Sequence, residues 1–162
     1  MAKKAPKSIP PGMRTLTPHM WFNGNCKEAI AFYQQAFDAT LKDAHIEDPN
    51  HRRVMHAMLQ IGDSHVMLAD TVPGNWEQGP TSGATTGFWM YVDDVDKIFG
   101  RAKKAGCKVL MEVEDAYWGD RVGKLKDPYG HTWAIASQRW IYTDDEIEQN
   151  EQEWGSSFEE EG

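Results

Sequence analysis

The chain has 162 residues, of which 40% are apolar, and its seven Trp, six Phe and five Tyr suffice for one medium domain or two half-domains that share an interface. No run approaches the ~20 consecutive apolar residues of a membrane-spanning helix, so the sequence predicts no membrane partner. The net charge is −8 and the body of the chain is close to neutral, which leaves no basic face for nucleic acid.

The charge is concentrated at the two ends. Residues 1–14 carry +4, residues 143–162 carry −9 and the residues between them carry −3. We expect a disordered basic arm over 1–14, and a short helix followed by an acidic tail over 143–162, with no order predicted from Glu151 onward. Cys26 and Cys107 lack metal-binding spacing, so we expect reduced core residues in a cytoplasmic protein.

Residues 15–70 predict a module in the order strand, helix, strand, strand, strand. Asn25 is a suitable helix N-cap, and Glu28 follows three residues later, which predicts a capping box. Apolar residues then recur at helical spacing, and alternating segments follow. The strands are expected at residues 20–23, 41–46, 54–61 and 64–69.

Residues 71–87 are rich in Gly and Pro and predict a linker, after which residues 88–142 repeat the same plan. A strand at 89–92 leads into a helix capped by Asp93 or Asp94 and closed by Gly106. Three further strands are expected, at 109–113 and within 117–136, where the last two flank a tight reversal at Asp127-Pro128-Tyr129-Gly130. The sequence therefore predicts two modules of similar design.

Motifs in both halves occur in an order known from one superfamily. They are Gly24 with Glu28-Ala29-Ile30-Ala31-Phe32-Tyr33, Ile61-Gly62-Asp63-Ser64, Met67-Leu68-Ala69-Asp70, Tyr91-Val92-Asp93-Asp94-Val95-Asp96, and the run from Tyr117 to Ala136. On these residues the chain resembles the vicinal oxygen chelate superfamily, and within it the PhnB-like glyoxalase/bleomycin-resistance group, over roughly residues 16–147. The resemblance implies an α+β fold of paired βαβββ modules, in which curved mixed sheets line a cavity, and a homodimer.

The resemblance also implies where a divalent metal would bind. Counting from the Phe32-Tyr33 match places the four ligand positions at Pro18, Met67, Gly87 and Ala134, none of which offers an imidazole, carboxylate or thiolate. His19 is one residue from the first position, but a shift of one residue turns a side chain to the other strand face. We therefore expect no metal site and no cofactor, and the alternative is a displaced divalent metal.

With Met67, Gly87 and Ala134 facing the cavity, as the resemblance implies, strand alternation adds His56, Trp89 and Tyr91 to the lining of a ligand pocket. The run from Tyr117 to Arg121 is a second candidate patch, because an arginine can bind a carboxylate or phosphate and stack on rings. The candidate ligand-binding residues are His56, Met67, Trp89, Tyr91, Tyr117, Trp118, Asp120 and Arg121. His56 is the best candidate for a catalytic base, against the alternative of a structural histidine. Asp120 and Arg121 could instead pair with each other to hold a loop, and Tyr117 and Trp118 could instead fill a dimer interface.

The leading hypothesis is a metal-free protein that sequesters or carries an apolar or aromatic small molecule. The second hypothesis is a glyoxalase- or dioxygenase-like lyase or isomerase with a non-standard divalent metal site around His56 or His19. The third is a dimeric interaction protein, in which the aromatic residues form the dimer and the acidic tail recruits a partner.

Overall fold

In the computed structural model, which describes residues 2–46 and 53–159, the chain divides into two compact units, Met1–Pro80 and Thr81–Gly162. Each unit contains a four-stranded mixed sheet and a helix in the order strand, helix, strand, strand, strand. The fold is therefore α+β, with two βαβββ modules as predicted. The described residues contain no helix that is both long and apolar enough to cross a bilayer.

The N-terminal unit consists of β1 (His19–Phe22), α1 (Cys26–Phe37), β2 (Thr40–Ile46), β3 (Val54–Ile61) and β4 (Ser64–Asp70). Its sheet has the order β1-β4-β3-β2, with β1 parallel to β4 and the other pairs antiparallel. The β3–β4 hairpin turns at Gly62, whose φ of 57° favours glycine.

The C-terminal unit consists of β5 (Gly87–Tyr91), α2 (Val95–Ala105), β6 (Lys108–Asp115), β7 (Asp120–Lys126), β8 (Thr132–Gln138) and α3 (Asp144–Glu159). Its sheet order β5-β8-β7-β6 reproduces that of the N-terminal unit, and β5 again runs parallel to the last strand. The two units therefore share one topology.

In each unit the first helix covers one face of the sheet. The Ala29, Tyr33 and Phe37 side chains of α1 are buried, as are Leu59 and Leu68 on the strands beneath. In the C-terminal unit α2 lies so close to the sheet that a Cβ on Gly123 would stand 2.5 Å from the Phe99 ring. The opposite face of each sheet is not covered by α1 or α2. It carries the candidate site residues other than Arg121, except that Tyr117 and Trp118 lie in the loop between β6 and β7.

The predicted capping box at the start of α1 is wrong. Asn25 occupies the N-cap position, but its φ of −121° and ψ of 22° are not the extended values of a capping residue, and its side chain accepts no capping hydrogen bond. The N–H of Cys26 instead donates to Oδ1 of the buried Asp70, at 3.0 Å. In α2 the Asp94 carboxylate does cap the helix, through the N–H of Lys97 at 3.0 Å.

The last helix is longer than the sequence predicts. Its predicted capping box is confirmed, because Glu146 accepts from the N–H of Thr143 at 2.8 Å and the Thr143 hydroxyl accepts from the N–H of Glu146 at 3.3 Å. The helix continues past Glu151 to Glu159, and Trp154 contacts the Tyr117 ring at 5.5 Å. This tertiary contact supplies apolar packing that composition alone does not reveal. The tail residues 160–162 lie outside the described part of the chain.

Candidate functional site

The open face of the N-terminal unit carries histidine and methionine side chains. Met58 of β3, Met67 of β4 and His19 of β1 are register partners and form one row across three strands. Strand alternation puts His56 and His65 on the same face, and both are half-buried. The structure thus brings the predicted site residues His56 and Met67 to one face.

The pKa of the His19 imidazole is lowered by its surroundings. Loss of solvent around the ring is the main reason that its pKa lies below the ordinary value; the Glu77 carboxylate opposes this effect, and nearby His56 adds to it. His19 therefore favours the neutral form at pH 7. Neutral imidazole can accept a hydrogen bond from a ligand.

The four positions that the resemblance assigns to a divalent metal do not fit one. The N–H of Met67 donates to the carbonyl of Pro18 at 2.9 Å, so these two residues are linked through backbone alone. Gly87 and Ala134 have no donor side chain. Within residues 2–46 and 53–159, no three His, Cys, Asp or Glu side chains group as metal ligands would.

The open face of the C-terminal unit has an apolar floor and aromatic walls. Register places Trp89 beside Ala134 and Tyr91 beside Ala136. The floor is a buried cluster of Ala116, Val122, Ala134 and Ala136. Trp89 and Tyr91 are 45% and 63% exposed, which is unusual for aromatic side chains of this size next to a buried apolar cluster. Ala134, the expected metal position, is thus part of a floor.

Ring contacts make this region continuous. Trp89 lies 6.3 Å from Tyr91 and 6.2 Å from Trp118, centroid to centroid, with tilted planes. Tyr117 contacts Trp118 edge-on at 5.0 Å, and Trp154 of α3 lies 5.5 Å from Tyr117 with a tilted plane. We call Trp89, Tyr91, Tyr117 and Trp118 the aromatic surface. Such tilted and edge-on pairs are the geometries that aromatic rings prefer.

A buried carboxylate lies at the edge of the aromatic surface. Asp120 is 4% exposed, and its Oδ2 accepts the hydroxyl of Tyr91 at 2.8 Å. This hydrogen bond is the main cause of the raised pKa of Tyr91, so the phenol stays protonated at neutral pH. Among the described residues, no second side chain or backbone N–H donates to the Asp120 carboxylate.

The alternative in which Asp120 and Arg121 pair with each other is wrong, because neighbouring residues of a strand point to opposite faces. The Arg121 guanidinium forks onto Asp96 at the start of α2, with two hydrogen bonds of 2.9 Å, and reaches Asp115 at 3.2 Å. The hydrogen bond to Asp96, and to a smaller extent that to Asp115, raises the pKa of Arg121. The hydrogen bond from Arg121 in turn lowers the pKa of Asp96. Arg121 therefore links α2 to β7 and to the end of β6.

Gly119 fixes the loop between Trp118 and Asp120. Its φ is 106°, and an added Cβ would lie 2.4 Å from the carbonyl oxygen of Trp140. The carbonyl of Gly119 accepts from the N–H groups of Arg139 and Trp140, each at 2.9 Å. The segment after β8 therefore locks the aromatic loop in place, and only glycine satisfies both constraints.

The turn at Asp127, between β7 and β8, is held by hydrogen bonds to the Asp127 side chain. The buried carboxylate of Asp127 accepts the N–H of Tyr129 at 2.9 Å, the N–H of His131 at 3.0 Å and the indole N–H of Trp133 at 2.9 Å. Pro128 and Gly130 only permit the turn, whereas the aspartate secures it, a role that the sequence reasoning missed. An Asp that starts a Pro-containing turn was the available signal.

The two thiols are not candidate nucleophiles. Cys26 and Cys107 are buried, and burial raises the pKa of each, that of Cys107 to about 12. A thiol acts as a nucleophile in its ionised form. Neither cysteine therefore carries chemistry at neutral pH.

A cleft continues from the aromatic surface at Tyr91, where β5 and β8 end. Its volume is about 490 Å³, and it is lined by Tyr91, Val92, Asp93, Ser137, Gln138 and Arg139. The Ser137 hydroxyl is committed within the fold, since it donates to the carbonyl of Val92 at 2.6 Å and accepts the N–H of Val95 at 3.1 Å. The cleft adds polar groups to one end of an otherwise aromatic region.

Comparison with known proteins agrees with this architecture. The model of the Glyoxalase/Bleomycin resistance protein/Dioxygenase superfamily matches residues 16–135. An uncharacterized protein of Mycobacterium bovis is 38% identical over 138 residues, which cover 82% of this chain and 89% of that protein.

Solved structures show the same fold. The PhnB protein of Bacillus cereus superposes with a TM-score of 0.63 at 22% identity, covering 76% of this chain and 99% of that one. A Sphaerobacter thermophilus member of the superfamily gives a TM-score of 0.57 at 20% identity, covering 76% of this chain and 98% of that one. With two βαβββ modules in place and the family model matching most of its length, this chain belongs to the glyoxalase/bleomycin resistance protein/dioxygenase superfamily.

Proposed function

We propose that this protein sequesters or carries a small organic molecule with an aromatic or apolar body, and that it does so without a divalent metal. The observation that carries the proposal is the exposure of Trp89 and Tyr91 directly beside a buried apolar floor. Ligand sites are mostly apolar and aromatic, with a few polar groups that fix orientation. Asp120 and the Tyr91 hydroxyl are such groups.

The proposed contacts are Trp89, Tyr91, Tyr117, Trp118 and Asp120. Arg121 is left out, because Asp96 and Asp115 already engage its guanidinium. His56 and Met67 stay proposed contacts of the open face of the N-terminal unit, separate from the aromatic surface, and His56 is also the proposed base if the protein acts on its ligand. A flat ring would gain about 0.5–1.5 kcal/mol from each good aromatic contact beyond the area that it buries.

Calorimetric titration with tryptophol, a neutral indole, tests this proposal. We expect binding that Trp89→Ala abolishes, since the substitution removes one wall of the aromatic surface. Trp76→Ala is the matched control: Trp76 is 76% exposed but belongs to the N-terminal unit. Binding that survives Trp89→Ala and is lost in Trp76→Ala, or no binding of tryptophol or of any member of an aromatic ligand library, would contradict the proposal.

A dimeric interaction protein is the second candidate. It is favoured by Trp140 and Ile141, which are exposed on the segment after β8. We propose a homodimer in either case, because large apolar side chains at a protein surface commonly mark contacts between chains. Sedimentation velocity separates the two functions. If Trp89→Ala converts dimers to monomers, the aromatic surface is an interface; if the dimer persists while tryptophol binding is lost, it is a ligand site.

A further inference from the structure

We infer that the aromatic surface selects organic cations, that is, molecules that join a protonated amine to an aromatic or apolar body. This inference rests on the proposed ligand site and names the class of its ligand. It is carried by the Asp120 carboxylate, by its lack of a cationic partner among the residues that the structure describes, and by the aromatic rings beside it.

Asp120 is buried. Within residues 2–46 and 53–159, no Lys, Arg or His forms an ion pair with it, and Arg121, its neighbour in sequence, points to the other face of the sheet. Buried carboxylates are ordinarily paired, because removal of a charge from water is costly. The Tyr91 hydroxyl satisfies Oδ2 and leaves Oδ1 as an acceptor for a ligand.

The rings beside Asp120 suit a positive charge. Trp89 and Tyr91 are tilted by 47° to each other, and Trp118 is tilted by 53° to Trp89. Aromatic faces attract cations through the negative potential above the ring, and Trp attracts them best. An ammonium group that donates to Oδ1 of Asp120 would lie next to the Tyr91 ring, whose hydroxyl already reaches the same carboxylate. The apolar body of the ligand would then cover the alanine floor.

The other charged side chains of this face are half-buried or exposed. Glu114, half-buried on β6, is the register partner of Val122 and adds a second negative charge to the face. Lys124 is the register partner of Ala134, but it is exposed and can extend its ammonium into solvent. Asp120, in contrast, is buried, and the Tyr91 hydroxyl holds its carboxylate beside the rings.

Three probes that share an indole body test the inference by calorimetry on the full chain: tryptamine is a cation, tryptophol is neutral and indoleacetate is an anion. We expect tryptamine to bind about tenfold more tightly than tryptophol, as a charged hydrogen bond and cation–π contact imply, and indoleacetate to bind more weakly still. Asp120→Asn keeps an acceptor for Tyr91 but removes the charge, and it should erase the preference for tryptamine. Asp115→Asn is the matched control and should keep it.

Each outcome bears on a different part of the inference. Equal binding of tryptamine and tryptophol would overturn the cation assignment and leave the proposed ligand site standing. Retention of the preference in Asp120→Asn would overturn the role of Asp120. Failure of all three probes to bind would overturn the ligand site and the cation assignment together. If Asp120→Asn does not fold, the comparison of the three probes on the unaltered chain still tests the cation assignment.

Discussion

The two units share a topology but differ in how the last strand holds the helix. In the N-terminal unit Asp70 of β4 accepts from Cys26 at the start of α1 at 3.0 Å and from Val54 on β3 at 2.9 Å. In the C-terminal unit the neutral Ser137 of β8 accepts from Val95 at the start of α2, at 3.1 Å, and Asp94 caps the helix as well. One charged side chain thus does in the first unit what two groups share in the second.

Their open faces differ more strongly. The N-terminal face is a half-buried set of His and Met, whereas the C-terminal face exposes Trp89 and Tyr91 over small alanines. The backbone of a βαβββ module accommodates both, because the helix-facing residues of each sheet are buried against the helix whatever the open face carries. In this fold the side chains of the open face therefore determine the chemistry, and the shared βαβββ backbone does not reveal it.

We expect the largest loss of folding stability from removal of the side chain that holds the start of α1. Asp70→Ala leaves two buried N–H groups without an acceptor, so we expect a loss of about 2–5 kcal/mol in the free energy of unfolding. Ser137→Ala, its matched change in the C-terminal unit, should cost about 1–3 kcal/mol, because Asp94 still caps α2. Urea denaturation of the two variants measures both. Equal losses would show that the two devices are energetically equivalent.

Gly119→Ala should be the next most damaging change. It forces a Cβ against the carbonyl of Trp140 and a side chain into a left-handed conformation, so we expect a loss of about 2–4 kcal/mol and displacement of Trp118. Gly100→Ala is its control: it lies within α2, where an added Cβ meets open space, and should stabilise by up to about 1 kcal/mol. Thermal unfolding with near-ultraviolet circular dichroism reports both stability and tryptophan packing.

Trp89→Ala and Met67→Ala sharpen the comparison of the open faces. We expect Trp89→Ala to abolish tryptophol binding and to cost little stability, since the side chain is exposed. Met67→Ala should leave tryptophol binding at the aromatic surface within about twofold and should cost about 1–2 kcal/mol, because Met67 is half-buried. Calorimetric titration and urea denaturation separate these effects. Loss of binding in Met67→Ala alone would move the site to the N-terminal unit.

The smallest expected effect is a pH dependence at Tyr91. Its pKa is raised in the folded state, mainly by the hydrogen bond to Asp120. The bond therefore stabilises fully below the ordinary tyrosine value of about 10, and this contribution is lost as the pH rises through the folded value. Ultraviolet titration should show one late-ionising tyrosine that Tyr91→Phe removes. Asp120→Asn should bring it closer to the ordinary value.

Alternation and turn chemistry predicted the strands, the β3–β4 hairpin and the Gly106 end of α2, because these depend on neighbouring residues. Asp70 could not be predicted as the partner of Cys26, because the two are 44 positions apart and only the fold brings them together. The Arg121 partners were missed for the same reason, since Asp96 lies on another element. The order of α3 beyond Glu151 depends on Trp154 meeting Tyr117, which composition does not encode.

Nuclear magnetic resonance tests most directly whether the aromatic surface is a ligand site. The indole N–H signals of the seven Trp residues are followed during titration with tryptophol. We expect saturable shifts of the Trp89 and Trp118 signals, which substitutions identify, and no shift of the Trp76 signal. Shifts confined to Trp21 and Trp76 of the N-terminal unit, or no shift at all, would contradict the claim that the aromatic surface is a ligand site.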